Sequence, residues 1–215
     1  MTTKDRFPAL YRGSSPAWDI GRPQPELLVA FDELTLTGSV LDLGCGTGEN
    51  TLELARRGLE AWGLDATPAA LAIAEKKRAA RGLAATFVLG DALDLAPLGR
   101  TFDTVLDCGL YHVLEDEERR TYRRELDRVL RPGGSFLMLG LATNPGGPGP
   151  RGYSVEELRA ALDKGYRQVF VRSASFWATS ERGHKPAWLS LFVREGSTPS
   201  KPAGGDSSPI RTPIS

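Results

Sequence analysis

The sequence predicts an α/β protein built on a doubly wound sheet, mostly parallel, with an antiparallel hairpin at its C-terminal edge. Three observations carry this prediction. Short apolar segments alternate with helical ones, the first apolar segment runs into three alternating glycines, and two late apolar segments are joined by a polar link. The apolar segments lack the strict polar–apolar alternation of a half-wet strand, so both faces of the sheet should be covered.

Each element follows from local signals. Ser39–Leu43 is the first strand and stops at Gly44; Thr51–Arg57 has helical spacing and ends at Gly58. Ala61–Leu64 is the second strand, and Pro68–Arg81 the second helix, closed by Gly82. Thr86–Leu89 and Thr104–Leu106 are the third and fourth strands. Glu115–Leu130 is an amphipathic helix with Tyr122, Leu126, Val129 and Leu130 inward, stopped by Pro132-Gly133-Gly134 before a fifth strand at Ser135–Leu139. A further helix starts near Ser154, a suitable N-cap followed by acidic residues. Gln168–Phe176 and Ala187–Arg194 form the hairpin. The expected organisation is an N-terminal arm or lid over 1–38, the α/β domain over 39–195, and a disordered Gly-, Ser-, Pro- and Thr-rich tail over 196–215.

Composition narrows the function. Net charge is +0 with no basic stripe, which argues against nucleic acid, whose phosphates select clustered Lys and Arg. The pairs Arg119–Arg120 and Arg123–Arg124 alternate with Glu on a helix and read as a solvated face. The two cysteines, Cys45 and Cys108, are too few for a disulfide framework or a zinc site, so no metal is expected. With no apolar leader and no spanning stretch, the expectation is a cytoplasmic protein, off the membrane, as monomer or homodimer.

The chemistry concentrates in Val40-Leu41-Asp42-Leu43-Gly44-Cys45-Gly46-Thr47-Gly48, a buried strand that runs into a glycine loop and then a helix. Glycine there permits positive φ and lets a ligand approach the backbone. In a parallel sheet this loop lies at the carboxyl edge, where nucleotides bind. A dinucleotide fingerprint would put the third glycine one residue later, where Glu49 stands, and Glu49 would repel a pyrophosphate. Asp65 ends the second strand about 20 residues past the loop, where a carboxylate accepts ribose hydroxyls. Asp91 and Ala92 follow the third strand at adenine distance, and Asp42 and Asp107 stand near the mouth of the site.

This pattern resembles the class I S-adenosylmethionine-dependent methyltransferases. The glycine loop is similar to the family's first motif, and Gly63-Leu64-Asp65, Gly90-Asp91-Ala92, Phe102-Asp103-Thr104-Val105 and Leu130-Arg131-Pro132-Gly133-Gly134 match later steps. The resemblance implies a Rossmann-like seven-stranded sheet with S-adenosyl-L-methionine as cofactor. It implies cofactor binding by Asp42, Gly44, Cys45, Gly46, Gly48, Asp65, Ala66, Asp91, Ala92 and Asp107. The arm, Pro16-Ala17-Trp18-Asp19-Ile20-Gly21-Arg22-Pro23-Gln24-Pro25, resembles the subgroup acting on thiopurines, thiols and heterocyclic toxins, which implies a small-molecule acceptor methylated at sulfur, nitrogen or oxygen. A protein or RNA methyltransferase and a non-catalytic binding module are the alternatives.

The acceptor pocket is expected from Tyr11, Trp18, Tyr111 and His112. Trp18 serves either as part of a lid or as an anchor for the arm. His112 is a candidate general base or simply a loop hydrogen-bonding residue. Cys108 has little role as a nucleophile, because direct transfer needs no covalent intermediate. Arg182 and His184, in the link between the last two strands, are further candidates for the pocket mouth.

Overall fold

All residues of β1 (Ser39–Leu43) are buried, as a strand covered on both faces requires. Successive side chains leave opposite faces, so Val40 packs under one helical layer and Leu41 and Leu43 under the other. The computed structural model describes residues 11, 16–143, 150–179 and 183–196.

Beside β1 lie β2 (Glu60–Asp65) and then β3 (Ala85–Leu89), all parallel. On its other side lie β4 (Phe102–Cys108) and β5 (Leu130–Leu141), also parallel. β7 (His184–Arg194) pairs antiparallel with β5, and β6 (Tyr166–Trp177) pairs only with β7. The order is β3-β2-β1-β4-β5-β7-β6. Chain direction across the sheet therefore reverses between β1 and β4, which opens a crevice beyond their carboxyl ends.

Helices cover both faces. α1 (Pro25–Glu33) and α2 (Glu49–Arg56) bury Leu27, Phe31 and Leu54 against Leu106, Leu137 and Leu139. α3 (Pro68–Arg81) follows β2 and is closed by Gly82 in the left-handed region. On the other face, α4 (Asp116–Val129) and α5 (Val155–Leu162) bury Tyr122, Leu126 and Leu158 against Phe136 and Met138. Reciprocal side-chain-to-backbone bonds start both: Glu115 with Glu118, and Ser154 with Glu157. The N-cap expected at Ser154 is thus present.

The structure departs from the sequence expectation in three places. Arg119, read as part of a solvated face, is buried and donates to the Gly152 carbonyl at 2.8 Å. α1 was not anticipated, because Pro16, Pro23 and Pro25 read as an irregular arm. Pro25 occupies the first helical turn, where its missing N–H costs nothing, and Leu27, Ala30 and Phe31 form the buried stripe. No separate turn stands at Pro132-Gly133-Gly134: α4 ends at Val129 and β5 begins at Leu130. The register shifts between the pairs Phe102–Leu130 and Thr104–Ser135, so a bulge absorbs those residues within the strand. The disordered tail expected over 196–215 lies outside the described residues apart from Gly196.

One glycine fixes the packing of the first loop. Gly48 caps α2 with φ +83°, and a Cβ there would stand 2.7 Å from Phe87 Cζ and 2.9 Å from the Ala74 methyl. Gly58 has a similar φ of +85° but open space around it. Gly58→Ala should therefore cost only the left-handed backbone penalty, about 1–2 kcal/mol. Gly48→Ala adds an overpacking cost of about 1–3 kcal/mol. Thermal unfolding of both variants should place Gly48→Ala clearly lower; equal melting temperatures would refute the steric assignment.

Candidate active site

The crevice holds a cavity of about 750 Å³, in the upper part of the range of about 300–1,000 Å³ usual for ligand sites. One end is built from the strand ends. The Gly44 and Cys45 N–H groups both donate to the Leu64 carbonyl, at 2.8 and 3.0 Å, which bends the chain back over β2. The Gly46 N–H donates to Asp65 Oδ2 at 2.8 Å, and the Thr67 N–H to Asp65 Oδ1 at 2.7 Å. Burial raises the Asp65 carboxyl above its ordinary value, and those two N–H donors counter part of the rise. A Cβ at Gly46 would stand 3.2 Å from the Tyr11 hydroxyl, so this stretch of loop is a backbone-lined cradle. Asp91 stands beyond the end of β3 and accepts from the Leu93 N–H at 2.9 Å.

Most residues expected at the site do line this cavity: Gly44, Cys45 and Gly46 in the loop, Asp65 with Ala66, and Asp91 with Ala92. Tyr11, Trp18 and His112 line it too. Asp42, Gly48, Asp107 and Tyr111 do not. Asp42 is buried and takes the Thr51 hydroxyl at 2.6 Å, tying β1 to α2, and burial pushes its carboxyl up to about 7. Asp107 accepts from the Leu110 N–H (2.9 Å), the Tyr111 N–H (3.0 Å) and the Tyr122 hydroxyl (2.7 Å). It therefore organises the turn after β4 from behind, and burial pushes it up to about 6. Tyr111 packs edge-on to Tyr153 with Arg119 over its ring, inside the core.

Glu49 does not present the uncompensated negative charge expected of it. Its carboxylate lines the cavity but is paired with Lys77 and Arg81, both at 2.9 Å, so its charge is compensated. Cys108 lines the cavity, yet burial pushes its thiol well up, the reverse of an activated nucleophile. His184 stacks obliquely on Trp177 and does not line the cavity; Lys185, one residue on, does. Arg182 lies outside the described residues.

The other end of the cavity is apolar, with Leu110, Leu114 and Phe176. Phe176 meets the His112 ring edge-on at 5.4 Å, and Gly109 is needed beneath them, since a Cβ there would stand 2.9 Å from Phe176. His112 Nδ1 accepts the Leu141 N–H at 3.1 Å. Burial, with Arg119 and Lys185 nearby, pushes its pKa down to about 3, so the ring is neutral.

The arm forms the outer wall and is latched at three points. The Thr179 N–H donates to the Ala17 carbonyl at 2.8 Å, and the Thr47 hydroxyl to Asp19 at 2.9 Å. The Gln24 amide brackets Trp177, donating to its carbonyl and accepting its N–H, each at 2.9 Å. Sequence reasoning missed Gln24, Lys185 and Phe176; the aromatic late hairpin was the available signal for the last.

Comparison with known proteins accords with this geometry. Residues 40–134 match the family model described as a methyltransferase domain. The chain is 34% identical over 189 residues to the 2-heptyl-1-hydroxyquinolin-4(1H)-one methyltransferase of Mycobacteroides abscessus, covering 83% of each chain. It is 29% identical to a probable thiol methyltransferase 2 of Arabidopsis thaliana, over 70% of this chain and 67% of that one. A solved structure described as "Conversion of a Disulfide Bond into a Thioacetal Group during Echinomycin Biosynthesis" superposes with a TM-score of 0.81 at 34% identity, covering 92% of this chain and 95% of that one. The chain belongs to the class I S-adenosylmethionine-dependent methyltransferases of small molecules, and its cofactor is S-adenosylmethionine. The backbone cradle and the carboxylates of Asp65 and Asp91 fit that group. Among the described residues no helix is long and apolar enough to cross a membrane.

The buried titratable groups set opposing pH dependences. The unfolded chain protonates His112 near its ordinary 6.5 and the folded chain only near 3, so His112 makes stability fall as pH drops through that interval. Asp42 and Asp107, ordinarily near 3.8, are raised to about 7 and about 6, so they make stability fall as pH rises from about 4 to about 7. His112→Gln should flatten the acid limb of a Tm-against-pH curve, whatever its effect on Tm at neutral pH. An acid limb as steep as wild type would refute a buried, neutral His112.

Proposed function

We propose that this enzyme methylates a sulfur, nitrogen or oxygen atom of a flat heteroaromatic molecule seated at the apolar end of the cavity. The observation that carries the reading is the continuity of one cavity between two unlike ends. The glycine cradle and two carboxylates suit a nucleoside with a charged tail, while Leu110, Leu114 and Phe176 suit a ring. The heteroaromatic acceptor named for the Mycobacteroides abscessus relative supports the same reading.

In this assignment Asp65 would hold the ribose hydroxyls, Asp91 and the Ala92 N–H the adenine, and Gly44, Cys45 and Gly46 the amino-acid end. When bound, S-adenosylmethionine supplies an electrophilic methyl group on a sulfonium sulfur. The protein's contribution is to hold the acceptor in line and exclude water, which carries much of the rate when the leaving group is already good. The arm over 1–38 acts as the lid on the domain over 39–195, with Trp18 and Tyr11 as its aromatic surface. The free thiols of Cys45 and Cys108 support a cytoplasmic location.

The test is formation of S-adenosylhomocysteine from S-adenosylmethionine with a panel of hydroxylated heteroaromatics, thiols and amines. Asp65→Ala should weaken cofactor binding about tenfold or more, because charge-assisted hydrogen bonds worth about 1.5–3 kcal/mol are lost. An unchanged dissociation constant would remove Asp65 from the site. Trp18 is 37% exposed, so Trp18→Ala should lower acceptor turnover far more than Tm. Activity that merely tracks the folded fraction would make Trp18 an anchor.

A further inference from the structure

The His112 side chain is held in one protonation pattern by its surroundings. Nδ1 accepts the Leu141 backbone N–H, and β5 needs that bond because Leu141 lies where the strand ends. A nitrogen that accepts carries no proton, so the neutral ring carries its proton on Nε2. For Nε2 to act as a base the proton would have to sit on Nδ1, where it would face the Leu141 N–H head-on. Turning the ring to escape this would give up the bond to the Leu141 N–H. Phe176 meets it edge-on, and the Gly109 α-carbon lies close enough that a Cβ there would be 3.2 Å from His112 Cε1. Among the described residues no group accepts from Nε2, although the ring lines the cavity.

Resting on the acceptor end assigned above, we infer that His112 is a fixed hydrogen-bond donor that selects acceptors carrying a lone pair beside the nucleophilic atom. A ring nitrogen or carbonyl next to the reacting hydroxyl or thiol is the matching chemistry. Lys185 from β7 and Glu118 from α4 line the same cavity, and Arg119 and Lys185 both act on the His112 ring. His112 takes no proton; the acceptor's proton goes to solvent before transfer. The requirement for a neighbouring lone pair is a specificity rule, and it makes His112 a positioning group toward the acceptor.

Two measurements on the full-length protein test this. In the first, 8-hydroxyquinoline and 1-naphthol, alike in shape but differing by the ring nitrogen, are titrated calorimetrically into protein saturated with S-adenosylhomocysteine. Wild type should bind 8-hydroxyquinoline about tenfold more tightly, the equivalent of one hydrogen bond. His112→Gln, which keeps an N–H donor, should retain most of that preference, and His112→Leu should lose it. Equal binding of the two probes to wild type, a preference that survives in His112→Leu, or no binding of either probe would overturn the inference. S-adenosylhomocysteine failing to bind would instead overturn the cofactor-site assignment. The second measurement needs no variant at position 112. Nitrogen-15 NMR of histidine-labelled protein, with His184→Gln to assign the two residues, should show pyrrole-type Nε2 and pyridine-type Nδ1 for His112. Arg119 and Lys185 are the charged groups acting on the ring, Glu118 lines the same cavity, and the ring's pattern should hold between about pH 5 and pH 9. A pyridine-type Nε2, or titration of the ring in that interval, would overturn the donor role.

Discussion

The active-site end of this fold depends on how the end of β2 holds the loop that leaves β1. The Leu64 carbonyl takes two successive N–H groups and the Asp65 carboxylate takes the next, so three consecutive backbone donors are satisfied by adjacent residues of a neighbouring strand. Register between β1 and β2 therefore fixes the loop's shape, and a slip of one residue would replace Asp65 by an apolar side chain at the cradle. The helix that follows, the arm that rests on Thr47, and the apolar end across the crevice all take their positions from this loop.

The carboxylates near the crevice divide by where they stand relative to the strand ends. Asp65 is the last residue of β2 and Asp91 lies past β3, so both reach beyond the sheet into the crevice. Asp42 and Asp107 are each one residue short of their strand's end, so their side chains leave through a face. There they meet hydroxyls and backbone N–H groups, and they brace α2 and the turn after β4. Their charge is costly in that setting, which is why both are raised toward neutrality.

This division also marks what the sequence could convey. The alternating elements and the glycine loop were legible because chain-local spacing determines them, and the same spacing brings Asp65 and Asp91 to the cavity. Asp42 and Asp107, expected at the site, do not line the cavity, because the pattern locates a strand's end without saying which side chains clear it. Tyr111, expected in the acceptor pocket, lies in the core, because a tight turn after β4 sends adjacent residues in opposite directions, His112 to the cavity and Tyr111 to the core. The same parity separates His184 from Lys185. Gln24 and Phe176 act through partners far away in the chain, and no local pattern encodes such pairings. α1 stayed hidden because its starting proline also reads as a breaker.

The latch between Gln24 and Trp177 has a bearing on how the enzyme is made. These bonds join residues 153 positions apart, and Trp177 belongs to β6, which reaches the sheet only through β7. Loop-closure cost makes such distant contacts late events in folding. During synthesis the cradle after β1 has its strand partners early, and with it the Asp19–Thr47 contact, whereas the latches at Ala17 and Gln24 have no partner until β6 has been made. The shape of the glycine loop thus precedes the complete wall of the cavity.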